Sequence, residues 1–521
     1  MLQIDRRALV QSAGSLVLLT GLSHTGLWAA GLKDDPFTLG VASGDPWPDG
    51  FVLWTRLAPT PFDRGGGMPM VAVPVAWEVA EDARFTRIAQ SGEAFARPEL
   101  GHSVHVEVAG LKPARTYWYR FRAAGYQSAP GTVRTAPPAG APADGLRIAV
   151  AGCQHWEGGF YTAYRHLAEE ADLDAVFHYG DYIYEHWAQR VCPKVDDKPS
   201  CVREHIGDEI YSLDDYRRRY AQYKTDPDLQ AAHRAAAFLS TFDDHEVDNN
   251  WVGDIDEWKT PPEVFRLRRF AAMQAWYEHM PVRAAQFPRF ENMLAYRRLD
   301  YGSLLRVHLL DTRSYRSDQV CDDGKRKPCT PAAHDGATVL GAGQERWLDQ
   351  GLGGGARWNL IAQQILTMPF DRRKPGETTP NLATDTWDGY RPARERLISS
   401  IRNHRLSNVV IASGDYHKHF AGTLPVREDA LDGEMAAVEF LATSISTNGD
   451  GGPVKDLDTL LANNPHVALF ADQRGYQLFD ITAKRWQTDV KVVDRVSQQG
   501  GTLSTLARFA VFPDRAALHR D

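Results

Sequence analysis

The sequence predicts a layered α/β core preceded by a small all-β domain. Two observations carry this. Short β-branched and aromatic runs with alternating polarity, punctuated by Gly and Pro, occupy residues 37–135. After a Pro/Ala/Gly-rich stretch, TAPPAGAPADG at 135–145, apolar runs alternate with helical stretches.

In chain order, Arg6 and Arg7 precede a short, weakly apolar stretch from Ala8 to Leu22, and small residues follow at Ala29 and Ala30. This is the layout of a twin-arginine signal peptide, here 1–30. It predicts export by the Tat translocase and a periplasmic or secreted protein. Gln11, Ser12 and Ser15 interrupt the stretch, and no later segment has ~18 consecutive apolar residues, so no membrane span is expected once the signal is removed. Residues 36–135 form the expected β-sandwich domain, with strands in FVLWTRL, PVAWEVA, HSVHVEV and YWYRFRA. GLKPARTYWYRF resembles the turn-and-strand signature of fibronectin-type sandwiches, through Leu111, Pro113, Thr116, Tyr117 and Tyr119. Residues 146–495 form the expected α/β domain. Its strands lie in RIAVAG, AVFHYG, FLSTFD, LRVHLLD, NLIAQQIL, NVVIASG and VEFLAT; its helices lie in FYTAYRHLAEEADL, LDDYRRRYAQY and PEVFRLRRFAAMQAWYEHM. GYQLFDITAKRWQTDVKVVD reads as a hairpin, and the final segment, 496–521, as partly helical.

The formal net charge of -8 argues against a nucleic-acid-binding surface. It leaves room for small anionic substrates, because a bound cation supplies local positive charge. Cys192 and Cys201 share one polar, Pro-bearing stretch, and Cys321 and Cys329 share another. In an oxidising compartment these predict the disulfides Cys192–Cys201 and Cys321–Cys329. Cys153 is left over at the end of an apolar run, as a small buried hydrophobe, a metal ligand or a nucleophile with His155.

The polar residues gather where the apolar runs end. RIAVAG ends in Cys153, AVFHYG in Asp181 and Tyr184, and FLSTF in Asp243, Asp244, His245, Glu246, Asn249 and Asn250. LRVHLL ends in Asp311 and Arg313, NVVIASG in Asp415, His417 and His419, and VEFLATSIS in Asn448 and Asp450. Ligands of open α/β sheets bind beyond the carboxyl ends of strands. Taken singly, each residue has a plain structural role: a turn or cap aspartate, a hydrogen-bonded histidine, a core tyrosine, an Asp311–Arg313 ion pair. Together, buried carboxylates without cations would repel, and metal ions remove that cost. Carboxylate and amide oxygens suit a hard ion such as Ca2+. A phenolate beside a thiolate argues for a stronger Lewis acid, Fe3+.

These motifs resemble a known family. Gly180-Asp181-Tyr182-Ile183-Tyr184 is similar to the GDxxY motif of metallophosphoesterases of the purple-acid-phosphatase kind. Gly152-Cys153-Gln154, Asp243-Asp244-His245-Glu246 and Gly414-Asp415-Tyr416-His417 replace the other usual motifs, and those replacements resemble the PhoD-type alkaline phosphatases and the related PhoD-like phospholipase D enzymes. FTLGVASGDPWPDGFVLWTRLAP and ATSISTNGDGG extend the resemblance over nearly the whole chain. It implies a metallophosphoesterase-like β-sandwich core flanked by helices, and a phosphatase or phosphodiesterase acting on a small-molecule or lipid phosphate ester. It implies Fe3+ on Cys153 and Tyr184, Asp181 bridging to Ca2+, and Asp244 and Asp415 as further ligands with Asn250 on calcium. His245 and His417 would face phosphate or metal, and His245 with Asp181 carries the expected catalysis. Asn249 competes with Asn250; His155, His419 and Asn448 are expected around the ligands or substrate. The alternatives are a phospholipase D-type phosphodiesterase and a non-catalytic binding or adhesion protein.

Overall fold

Alternation along the strands decides the layering. In Leu146–Ala151, Ile148 and Val150 pack into one hydrophobic cluster and Ala149 and Ala151 into another. Trp358–Ala362 behaves alike, with Leu360 on one side and Ile361 on the other. Successive side chains of a strand point to opposite faces, so a run apolar at every position belongs to a sheet covered on both sides. The structure, a computed structural model, describes residues 32–521 apart from 193, 196–197, 200, 290–292, 324–328 and 330–333. The expected signal segment, 1–30, lies outside the described residues.

Two large mixed sheets, of ten and eight strands, lie face to face. The layer between them holds Ile148, Val150 and Phe177 of the first sheet with Val307, Leu360 and Val410 of the second. Helices Thr162–Ala168, Leu213–Lys224, Pro227–Ala235 and Pro262–His279 cover the outer face of the first sheet through Tyr164, Tyr220, Leu229 and Trp276. Helices Gly341–Leu352 and Arg391–Asn403 cover the second through Leu348, Leu352 and Ile398. Leu213–Lys224 starts where the sequence places it, because Ser212 and Asp215 form a capping box. Strands Leu146–Ala151, Ala175–His178 and Ala237–Ser240 run parallel. So do Leu305–Leu309, Trp358–Ala362, Val409–Ser413 and Met435–Leu441 in the other sheet. The expected hairpin is Gly475–Ile481 with Trp486–Val493.

The N-terminal all-β domain shares a sheet with this core. Val73–Ala80, Ile88–Ala96, Thr116–Ala123 and Gly131–Arg134 form one face of its sandwich. The opposing face, Val41–Trp47, Gly50–Arg56 and Ser103–Val108, is the edge of the ten-stranded sheet. The junction is the parallel pairing of Gly44 with Phe238. A Cβ on Gly44 would lie 2.1 Å from the Pro281 carbonyl oxygen, so only glycine fits there. Tyr117 accepts a hydrogen bond from the Lys112 amide (3.0 Å), the corner contact that its fibronectin-like motif suggests.

One expectation is corrected. The C-terminal segment is not helical: Leu503–Phe512 and Arg515–Arg520 form a hairpin at the edge of the ten-stranded sheet. Phe509 and Val511 enter the core between the sheets, and this alternation outweighs the local helix preference of the alanines. Among the described residues, no helix is long and apolar enough to cross a membrane. Cys192–Cys201 and Cys321–Cys329 are disulfide-bonded, and Cys153 is a buried free thiol.

A buried ion pair ties the layers together. Asp45 accepts two hydrogen bonds from Arg297 (2.7 and 2.8 Å), whose guanidinium also donates to the Ser240 carbonyl (3.0 Å). Asp45→Ala leaves the guanidinium buried without its charge partner and is expected to cost about 3–5 kcal/mol, read from the urea midpoint. Replacing both partners by apolar residues, Asp45→Leu with Arg297→Met, recovers most of that loss.

Candidate metal centre

The parallel strands of both sheets deliver their carboxyl ends to one rim. Cys153 follows Leu146–Ala151, Asp181 and Tyr184 follow Ala175–His178, and Asp243–Glu246 follow Ala237–Ser240. From the second sheet come Arg313 after Leu305–Leu309, Asp415 and His417 after Val409–Ser413, and Thr447 and Asn448 after Met435–Leu441. Tyr179 wedges the two sheets: a Cβ on Gly152 or Gly414 would collide with its ring at 2.5 or 2.2 Å. Its hydroxyl donates to the Thr443 carbonyl.

The turns after these strands are strained. Cys153, Asp181, Asn250, Asp415, His417 and Asn448 all have φ between 50° and 69°. Residues with a Cβ avoid this region, and such strain, of order 1–3 kcal/mol each, persists where surrounding contacts enforce it, commonly at functional sites. Here the backbone enforces it. The amides of Cys153 and Gln154 donate to the carbonyls of Gly180 and Asp181, and buried Glu246 accepts from the amides of Asp181, Tyr182 and Asp243.

Asp181 is the hub. Its Oδ2 accepts from the Cys153 thiol (3.3 Å) and the Tyr184 hydroxyl (2.9 Å). Its carboxylate belongs to two clusters of potential ligand atoms, one with Cys153 and His417, the other with Asp244 and His245. Tyr184 Oη also contacts Thr447 Oγ1 (2.9 Å) and His417 Nε2 (3.4 Å), and His417 Nδ1 faces the Asn448 amide nitrogen (3.1 Å). His245 Nδ1 lies 2.7 Å from Glu185 Oε2, while Glu185 Oε1 accepts from the Asn249 amide. Asn249 turns its side chain to Glu257; Asn250 donates its backbone amide to Asp244. His419 lies in a strand with Nδ1 accepting from the Thr443 amide, and His155 presents its ring edge-on to Tyr184. Neither His419 nor His155 belongs to either of these two clusters.

The electrostatics call for cations. Burial outweighs the opposing His245 charge and, with Asp244, Asp243 and Glu246 adding to it, pushes the Asp181 carboxyl well above the usual carboxylate range. Burial and then Asp243 and Asp244 do the same to Asp415. Burial and the Asp181 charge raise both the Cys153 thiol and the Tyr184 phenol. Burial would raise Asp244 too, but Arg313 and His245 hold it well below the ordinary range. Asp181 Oδ1, Asp243 Oδ2 and Asp244 Oδ1 are buried without hydrogen-bond partners. Orphaned carboxylate oxygens beside a thiol and a phenol are the donor set a metal ion would satisfy. Without a cation, burial and the neighbouring carboxylates favour the protonated Cys153 thiol.

The sequence reading missed some of this constellation. Arg313 is not a side-chain partner of Asp311; its guanidinium reaches Asp243 (2.5 Å), Asp244 (3.5 Å) and Asp385 (3.3 Å), while Asp311 accepts from the Arg313 amide. Glu185 orients His245, and Thr447 bridges Tyr184 to the Cys153 carbonyl. Glu185 and Thr447 both follow strand ends, but the partners that give them their roles lie far away in sequence.

The double-sheet sandwich has a metallophosphoesterase-like fold, and its similarity to known proteins makes the chain a hydrolase of phosphoric esters. The chain belongs to the PhoD-like phosphatase family: residues 148–490 match the family's phosphatase domain and 23–137 its N-terminal domain. It is 43% identical to alkaline phosphatase D of Bacillus subtilis (strain 168), over 99% of this chain and 89% of that protein. The solved structure of PhoD superposes with a TM-score of 0.90 at 44% identity, covering 94% of this chain and 93% of that one. A purple acid phosphatase from yellow lupin (Lupinus luteus) seeds shares the fold alone, with a TM-score of 0.53 at 13% identity over 91% of this chain and 73% of that one.

The carboxyls of Asp181 and Asp415 keep their protons in the folded, metal-free protein to higher pH than in the unfolded chain. Their contribution is therefore full below the unfolded pKa of about 4 and is lost as pH rises. Chelated protein is expected to show a Tm that falls between pH 5 and pH 8. Metal-replete protein should not, and Asp181→Asn or Asp415→Asn should flatten the chelated profile.

Proposed function

We propose that this chain is an exported, metal-dependent phosphoesterase that hydrolyses phosphate monoesters, diesters or both, with Fe3+ and Ca2+ as its ions. Cys153, Tyr184 and Asp181 would hold iron; Asp181, Asp244, Asn250 and Asp415 would hold calcium, with His417 beside the iron ligands. The observation that carries this reading is the sharing of Asp181 between a cluster with a thiol and one with a second carboxylate. When bound, such ions supply Lewis acidity toward the phosphoryl oxygens and the attacking water.

The chain's own groups do the rest. Burial would lower the His245 imidazole, but Glu185, Asp244 and Asp181 hold it protonated well above its ordinary range. Glu185 occupies Nδ1, which leaves the Nε2 proton to hydrogen-bond a phosphoryl oxygen or to protonate the leaving ester oxygen. Arg313 neutralises Asp243 and Asp244 without occupying the free Asp181 oxygen. His245→Ala is expected to lower kcat about 10²–10⁴-fold. Glu185→Gln should keep part of the activity while shifting the pH profile.

Export rests on the Arg6–Arg7 layout and on the two disulfides. Changing both arginines to lysine should hold the protein in the cytoplasm, as fractionation would show.

The deciding assay compares p-nitrophenyl phosphate with bis(p-nitrophenyl) phosphate at alkaline pH, with and without added calcium. Calcium-dependent turnover is expected, and the ratio of rates ranks monoester against diester use. No turnover of either ester by iron-loaded, calcium-replete protein would sink this reading.

A further inference from the structure

A second cluster lies behind Tyr184 and plays no part in the chemistry above. We propose that His155, Glu157 and His205 form a separate site for one divalent transition-metal ion of the zinc class. All three side chains are buried, and their potential ligand atoms lie within 4.8 Å of one another.

The hydrogen-bonding pattern points to a ligand. Both ring nitrogens of His155 are buried without a partner, although the ring is only 1% exposed. A neutral imidazole carries one N–H and one lone pair, and leaving both unsatisfied in the interior is costly. His205 Nδ1 has no hydrogen-bond partner either, and Glu157 is 4.0 Å away. Its Nε2 is engaged by the Tyr223 hydroxyl (2.9 Å), which sets the ring so that Nδ1 faces the cluster. Tyr223 is itself fixed by the Trp156 amide. A ligating histidine whose other nitrogen is tied to a fixed polar group is the arrangement that metal sites use to orient their ligands.

Glu157 is equally held. Its carboxylate accepts from the amides of Gln189 (3.0 and 2.9 Å) and His205 (2.9 Å). Gln189 sits just before the loop closed by the Cys192–Cys201 disulfide, and Cys192 Sγ lies 3.5 Å from Glu157. Two imidazoles and a carboxylate make a donor set typical of zinc, with one coordination position left for water. The thiol, phenol and carboxylates around Asp181 are a different set, so the two centres should be separable by metal type. They share a wall, since the His155 ring meets Tyr184 with centroids 4.6 Å apart.

The test strips the full-length protein with a chelator and titrates Zn2+, with Co2+ as the visible-absorption probe. Bound metal, iron content and phosphatase rate are measured on the same samples. Wild-type protein is expected to take up one zinc equivalent that persists in Asp181→Asn and is lost in Glu157→Gln and in His205→Gln. Tyr223→Phe should weaken zinc binding about 10–100-fold. Near-UV circular dichroism identifies which of the two ligand variants keeps native packing. The proposal is overturned if a natively packed Glu157→Gln or His205→Gln variant binds as much zinc as wild type. It is equally overturned if the zinc disappears with Asp181→Asn. Iron and activity report on the centre at Asp181, so failure of the two readings can be told apart.

Discussion

Asp181 gives one carboxylate oxygen to a thiol and a phenol and leaves the other without a partner in the interior. An isolated buried charge of this kind is unstable unless a cation or a proton answers it. The surroundings answer it only in part, through the protonated His245: Glu246 pins the backbone by accepting from the Asp181 and Tyr182 amides, and Arg313 spends its charge on Asp243 and Asp244. The site is thus built with a deficit of positive charge that bound cations would make up. Strained φ angles at Cys153, Asp181 and His417 belong to the same arrangement, because the ligand atoms of these three residues lie within 4.8 Å of one another.

That cluster exists only because two sheets end together. Tyr179, seated against Gly152 and Gly414, sets how closely the sheets approach at the rim. Arg297 links Asp45 of the N-terminal domain to the end of Ala237–Ser240, the strand that leads into Asp243 and Asp244. The N-terminal domain is therefore more than an appendage. Its strands continue the ten-stranded sheet, and its packing reaches the strand that leads into the buried carboxylates Asp243 and Asp244.

Much of this was legible in the linear chain. Strand periodicity located the elements, and the placement of Cys153, Asp181, Asp244, Asp415 and His417 just beyond apolar runs located the rim. Four features were hidden. The Asp311–Arg313 spacing suggested a local pair, whereas the guanidinium turns to carboxylates far away in sequence. Glu185 showed no role in the linear chain because its partner, His245, lies 60 residues away. The final segment looked helical, yet sheet pairing claimed it. The sandwich looked self-contained, although one of its sheets is shared with the core.

The sequence by itself determined which residue types collect at strand ends, because turn chemistry and the period of two are local properties. It likewise determined that charge would have to be balanced there, because carboxylates, a thiol and a phenol cannot share an interior unaided. Only the tertiary structure decided which groups answer one another. Asp181 meets His417, Arg313 meets Asp243, and Thr447 meets Cys153 across separations that no local pattern encodes. Those contacts follow from sheet order, strand register and the approach of two layers, and these are settled by packing the whole core at once.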